Sequence, residues 1–143
     1  MADARWAIVV ARFYDDLAER LVDGASRVLR EAGGEVDVFD VPGAYELPLG
    51  AHYCALTGRY RGVACLGAVI RGETSHYDHV CNEAAAGIAR VGLDTGVPCS
   101  FGVLTVETMD QALARLGDKR HQGEDAARAV VRMAELRDEL GVR

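Results

Sequence analysis

An apolar, β-branched run from Val63 to Ile70 stops abruptly at Arg71-Gly72, and Glu73, Thr74, Ser75 and His76 lead into a helical pattern. That order reads as buried strand, tight turn and helix N-terminus. In an open α/β sheet, ligands bind at such junctions, outside the carboxyl ends of the strands. The helix start presents unpaired backbone N–H groups to an anion. His76 adds the one side-chain type whose ordinary pKa lies near neutrality. A phosphate cradle beside a proton shuttle is one reading of the segment. The other is plain turn and cap chemistry for Gly, Thr, Ser and Asp, with a solvated histidine.

The rest of the chain repeats the alternation. Trp6 to Ala11 reads as a short buried strand. Asp15 and Asp16 can cap a helix in which Leu17, Leu21, Ala25, Val28 and Ala32 fall at helical spacing, and Gly33-Gly34 stops it. Val36, Val38 and Asp40 mark a second strand. Val41-Pro42-Gly43-Ala44 turns the chain into a helix through Leu47, Ala51 and Ala55. Arg61 to Ile70 is the third strand, and Tyr77 to Thr95 a helix with Val80, Ala84, Ile88 and Val91 on one face. Gly96-Val97-Pro98 breaks it. Cys99 to Leu104 is a fourth strand, Thr105 to Leu116 a fourth helix, Gly117 to Gly123 a polar break and Glu124 to Leu140 a last amphipathic helix. Strands separated by single helices imply parallel crossovers and a sheet covered on both faces. The expected fold is a three-layer α/β/α sandwich with a four-stranded parallel sheet, flavodoxin-like, in one domain spanning residues 1–143.

Composition narrows the function. Half the residues are hydrophobic, enough for one substantial core. No apolar run approaches the roughly 20 residues of a membrane span, and no basic region precedes an apolar stretch as in a signal peptide. A formal net charge of −6 argues against a general nucleic-acid binder. The four cysteines (Cys54, Cys65, Cys81 and Cys99) form no C-x-x-C pair, so free thiols in a cytoplasmic protein are expected rather than disulfides or zinc ligands.

In the expected sheet the four strand ends point one way, and the unusual residues cluster there. Phe13 follows the first strand, where its ring can stack on a planar heterocycle or simply close the sheet end. Gly43 lets backbone approach closely. Glu46 can complement the helix dipole or accept hydrogen bonds from ligand hydroxyls. His79 makes His-x-x-His with His76, but no third metal ligand is near. Arg115, with Lys119 and Arg120, can hold phosphate or only complement helix ends.

Taken in order, Ile8 to Phe13, Val41 to Pro48, Leu66 to Asp78, Val80 to Ala85, Thr95 to Pro98, Phe101 to Thr105 and Gln111 to Arg115 resemble the lumazine synthase family over nearly the whole chain. The resemblance implies a condensation without metal or cofactor. The family joins 5-amino-6-(D-ribitylamino)uracil to 3,4-dihydroxy-2-butanone 4-phosphate in the penultimate step of riboflavin biosynthesis. By the same resemblance, Phe13 stacks on the pyrimidine. Ala44, Tyr45 and Glu46 line the ribityl chain and ring, and Val69 and Ile70 meet the pyrimidine through backbone groups. Glu73 and Thr74 offer N–H groups to the phosphate, with Arg115 as its cationic partner, and His76 shuttles protons. Phe101 completes a neighbour's site in a homopentamer.

The chain departs from the family's pattern in four places. It starts almost at the first core strand, so an extra N-terminal edge strand is expected to be absent or reduced. Tyr14 stands where Asn is common, Glu73 where Ala is common, and the loop from Gly117 to Gly123 lacks the usual Gly-Asn-Lys-Gly ending. The loop change leaves open whether pentamers assemble into a sixty-subunit shell. Around the ring axis, the apolar face of Val80, Ala84, Ile88 and Val91 is the expected contact, with packing on the sheet as the alternative. Two other classes compete with the enzyme: a non-catalytic shell protein that binds a flavin-like ring, and an FMN carrier. The carrier expects a Ser/Thr-rich phosphate loop after the first strand, where this chain has Ala11 to Asp15.

Overall fold

The structure, a computed structural model, describes residues 4–142; the sequence reading of Met1 to Asp3 lies outside them. Four strands, β1 (Arg5–Ala11), β2 (Glu35–Val41), β3 (Gly62–Ile70) and β4 (Cys99–Val106), form one all-parallel sheet in the order β2-β1-β3-β4. Five helices connect and cover them: α1 (Asp15–Glu31), α2 (Leu47–Leu56), α3 (His76–Thr95), α4 (Met109–Ala114) and α5 (Gln122–Leu140).

The period of two along the strands divides the core. From β1, Trp6, Ile8 and Val10 pack with Leu17, Leu21 and Leu29 of α1, Ala112 of α4 and Ala127 and Val130 of α5. Ala7 and Val9 face the other way, toward Leu47 and Ala51 of α2 and Ala84 and Ile88 of α3. The two central strands are therefore apolar on both faces, as their β-branched runs require. Each fully buried Leu or Ile is worth about 1.5–3 kcal/mol. An exposed ion pair contributes about 1 kcal/mol or less, so burial and not surface charge fixes the layers.

Several boundaries differ from the sequence reading, each for a local reason. β4 runs on to Val106 because Thr105 and Val106 stay in the ladder opposite Val69 and Ile70. α4 accordingly shrinks to Met109–Ala114, started by Thr108, whose hydroxyl accepts the Gln111 N–H at 3.2 Å. α5 starts at Gln122 because the His121 imidazole caps it, accepting the Glu124 N–H at 3.3 Å. Asp15 and Asp16 do not cap α1; Tyr14 holds that position, and the two carboxylates lie in the first turn, where they complement the dipole. On α3, Ala84, Ile88 and Val91 are buried against the sheet, so they are not free for a ring axis. The small residues left outside are Ala85, Ala86 and Ala89.

All four cysteines are free. Burial pushes the Cys99 thiol up to about 12 and raises that of the fully enclosed Cys65, so both stay protonated and unreactive near neutrality. At the amino ends of the strands, Arg59 and Arg61 meet Arg137, Asp138 and Gly141 from the end of α5, with Arg61 paired to Asp138. Arg5 is bound there to Asp37 at 3.0 Å, and the Tyr60 hydroxyl donates to the same carboxylate at 2.8 Å.

Candidate active site

Parallel strands deliver their carboxyl ends to one edge, and the chain that follows β1, β2 and β3 encloses a cavity of about 670 Å³ there. Such a volume suits a small-molecule ligand. From the end of β1 come Phe13 and Tyr14, their rings edge-to-face with centroids 5.0 Å apart. Phe13 is 76% exposed, so its ring is not closing the sheet end but is available as a stacking surface. Arg12, just before it, is fully engaged. Its Nε donates to Asp40 at 2.8 Å, its guanidinium also binds Asp15 and Glu19, and its N–H bonds to Val41 O. An arginine surrounded by three carboxylates does not attract an anion.

After β2, Pro42-Gly43 leads into a single 3-10 turn, Ala44–Glu46, which places Ala44, Tyr45 and Glu46 on the cavity wall. Glu46 Oε1 accepts the Gly43 N–H at 3.0 Å. That bond holds the carboxylate in place and leaves its remaining lone pairs for a ligand. β3 contributes Ala68, Val69 and Ile70, the last two half-buried where the sheet edge opens. Gly72, Thr74 and His76 form the loop and helix start beyond it. Thr74 Oγ1 accepts the His76 N–H at 3.2 Å, whereas the Ser75 side chain makes no capping bond.

Eight of the eleven residues singled out in the sequence thus line one cavity: Phe13, Ala44, Tyr45, Glu46, Val69, Ile70, Thr74 and His76. Three do not. Glu73 lies between two lining residues but faces solvent. Phe101 pairs with Cys65, four residues short of the Val69–Thr105 pair at the cavity rim, or about 13 Å along the strand. Arg115 turns back along α4 and donates to Gln111 O at 3.1 Å. In one chain it is the helix-end complement.

Sequence reasoning missed Tyr14 and Tyr77 as lining residues and gave His79 no place in a pocket. For the last two a signal existed. Tyr77 and Val80 lie one turn apart, and His76, Tyr77, His79 and Val80 are the first turn and a quarter of one helix, so whatever touches His76 also meets its neighbours. Among the described residues no group of three or more His, Cys, Asp or Glu could hold a metal ion. The cavity therefore offers an aromatic platform, backbone N–H groups at a loop and two imidazoles, which suits holding a planar ring and an anion while moving protons.

A model of the 6,7-dimethyl-8-ribityllumazine synthase family matches residues 3–138. The chain belongs to that family. A lumazine synthase of Salinibacter ruber is 47% identical over 140 residues, covering 95% of this chain and 90% of the relative. One of Desulfotalea psychrophila is 49% identical over the same length and shares, and one of Chlorobium luteolum is 46% identical over 138 residues, 94% of this chain and 89% of the relative. All three are named 6,7-dimethyl-8-ribityllumazine synthase. No helix among the described residues is long and apolar enough to cross a membrane.

Proposed function

We propose that this chain condenses 5-amino-6-(D-ribitylamino)uracil with 3,4-dihydroxy-2-butanone 4-phosphate, giving 6,7-dimethyl-8-ribityllumazine and releasing phosphate and water. The observation that carries this reading is the meeting of Phe13, the Ala44–Glu46 turn, Val69, Ile70, Thr74 and His76 around one cavity. Phe13 stacks on the pyrimidine, the turn holds the ribityl chain, and backbone groups of Val69 and Ile70 read the ring edge. The exposed N–H groups of Glu73 and Thr74 face the phosphate. The primary amine attacks the ketone and loses water to form an imine. Elimination then expels phosphate, and the second amine closes the ring on the remaining carbonyl with loss of another water. No electrons are exchanged with an outside acceptor, so the balance needs no redox cofactor. His76 carries protons between these steps, while orientation of two bound reactants supplies much of the rate. Mixing both substrates with the protein should produce lumazine fluorescence well above the uncatalysed rate. A rate equal to the protein-free control would sink the assignment.

The working form is a homopentamer of one-domain chains, with the cytoplasm as its setting. Phe101 and Arg115 both lie outside their own chain's cavity, on the β4–α4 side of the sheet, and serve a neighbour's site: Phe101 as a wall, Arg115 as the cation for phosphate. Leu49, Tyr53 and Leu56 also support assembly. They recur on one stripe of α2 at 55%, 62% and 66% exposure, an apolar face of the kind that subunit contacts cover. A heterologous contact that closes makes a ring. Light scattering at micromolar concentration is expected to give a particle of five chains or of a multiple that reaches sixty. A fully active monomer would refute the shared site.

A further inference from the structure

The reacting end of α3 touches the core lightly, through the half-buried Tyr77 and Val80. Its first fully buried side chain is Ala84, two turns after His76, and every residue from Arg71 to His76 is exposed. Neither of the ordinary devices fastens this end. Ser75 makes no capping hydrogen bond, and Thr74 serves only the His76 N–H next to it. A helix start so placed frays unless something outside it holds it.

Arg71 supplies that hold. Its N–H bonds to Val106 O at 2.9 Å, joining the last residue pair of β3 and β4 to the loop. Its Nε meets Glu107 Oε2 at 2.7 Å, just beyond β4. Its Nη2 meets Asp78 Oδ1 at 3.1 Å, in the first turn of α3. The guanidinium carbon also lies 4.3 Å from the centre of the Tyr77 ring, over its face, and Tyr77 lines the cavity. Among the described residues, the Arg71–Asp78 pair is the sole side-chain hydrogen bond between the start of α3 and the strand ends. We propose that Arg71 is a positioning residue for the condensation: by gripping Glu107, Asp78 and the Tyr77 ring together, it fixes Thr74 and His76 at the cavity rim beyond β3. The inference rests on the synthase reading for what those two residues do. An arginine suits the task because its fork serves two carboxylates in different directions while its face stacks, which a lysine ammonium cannot do at once. Two carboxylates also neutralise it, so it acts on the loop and not as a phosphate ligand.

The test compares wild type with Arg71→Met, Arg71→Lys and Asp78→Asn by amide hydrogen exchange and by steady-state kinetics with both substrates. Arg71→Met is expected to speed exchange of residues 76–82 about three- to tenfold while α1 and α5 keep their protection. It should lower kcat about tenfold and raise KM for the butanone phosphate, leaving KM for the pyrimidine unchanged. Arg71→Lys should recover part of each effect, and Asp78→Asn should repeat them more weakly. Unchanged exchange at 76–82, or faster exchange throughout the chain, overturns the proposal. So does an Asp78→Asn variant with a lower KM for the phosphate substrate, since a freed Arg71 would then be binding phosphate itself. A wild type that forms no lumazine would refute the synthase reading alone, while exchange at 76–82 still decides whether Arg71 holds the helix start.

Discussion

Replacing His76 by alanine is expected to lower kcat for lumazine formation roughly 100-fold, with both Michaelis constants within about twofold of wild type. The imidazole lines the cavity, and its backbone N–H is already held by Thr74, so removing the ring takes away a proton carrier without undoing the loop. Activity should not vanish, because holding two reactants together supplies much of the acceleration by itself. His79 lines the same cavity one turn on. If it relays protons too, the double variant will fall below His76→Ala; if it only forms wall, the two will match. Stopped-flow fluorescence under saturating substrate reads kcat directly. Full turnover in His76→Ala with normal binding would remove the histidine from the chemistry.

The largest effect on stability is expected far from the cavity, at Gly123. A Cβ there would lie 2.4 Å from Leu21 O and 3.1 Å from Leu21 C and Cα, so α5 meets the backbone of α1 with no space between them. Backbone cannot rotate aside as a flexible side chain can. Gly123→Ala must therefore push apart two helices that share Leu17, Leu21, Ala127 and Val130 in one cluster. The expected loss is about 3 kcal/mol, a large share of the 5–15 kcal/mol typical of a domain. It should appear as a lower denaturant midpoint at unchanged slope. Gly117→Ala is the control, since the nearest atom to its Cβ would be Ala114 O at 3.8 Å. Equal midpoints for the two variants would show that α1 and α5 can separate at little cost.

Which parts of this protein could be read from its sequence follows from how local each cause is. The runs Trp6 to Ala11 and Val63 to Ile70 announce central strands because burial on both faces leaves no polar position to confuse them. Phe13, Ala44 to Glu46 and His76 were legible as cavity residues because parallel topology alone brings strand ends together. The start of α4 was misplaced because Thr105 and Val106 fit a strand or a helix equally well until their partners on β3 are known. The capping signal was present in Thr108 and Gln111. Arg71 reads in the sequence only as the stop of a strand, because its partner Glu107 is distant in sequence and no local pattern encodes that pair. For Phe101 and Arg115, one chain gives a strand-edge ring and a helix-end cation; any further role for them belongs to an assembly.

The cluster of Arg59, Arg61, Arg137 and Asp138 has a practical meaning for anyone building on this scaffold. It marks where β3 begins and where α5 ends, and Arg5, the first residue of β1, lies at that same edge of the sheet, paired across to Glu35. The described chain therefore enters and leaves on the side opposite the cavity mouth. Cargo joined to the described residues there would start from the edge of the sheet farthest from the chain's own cavity.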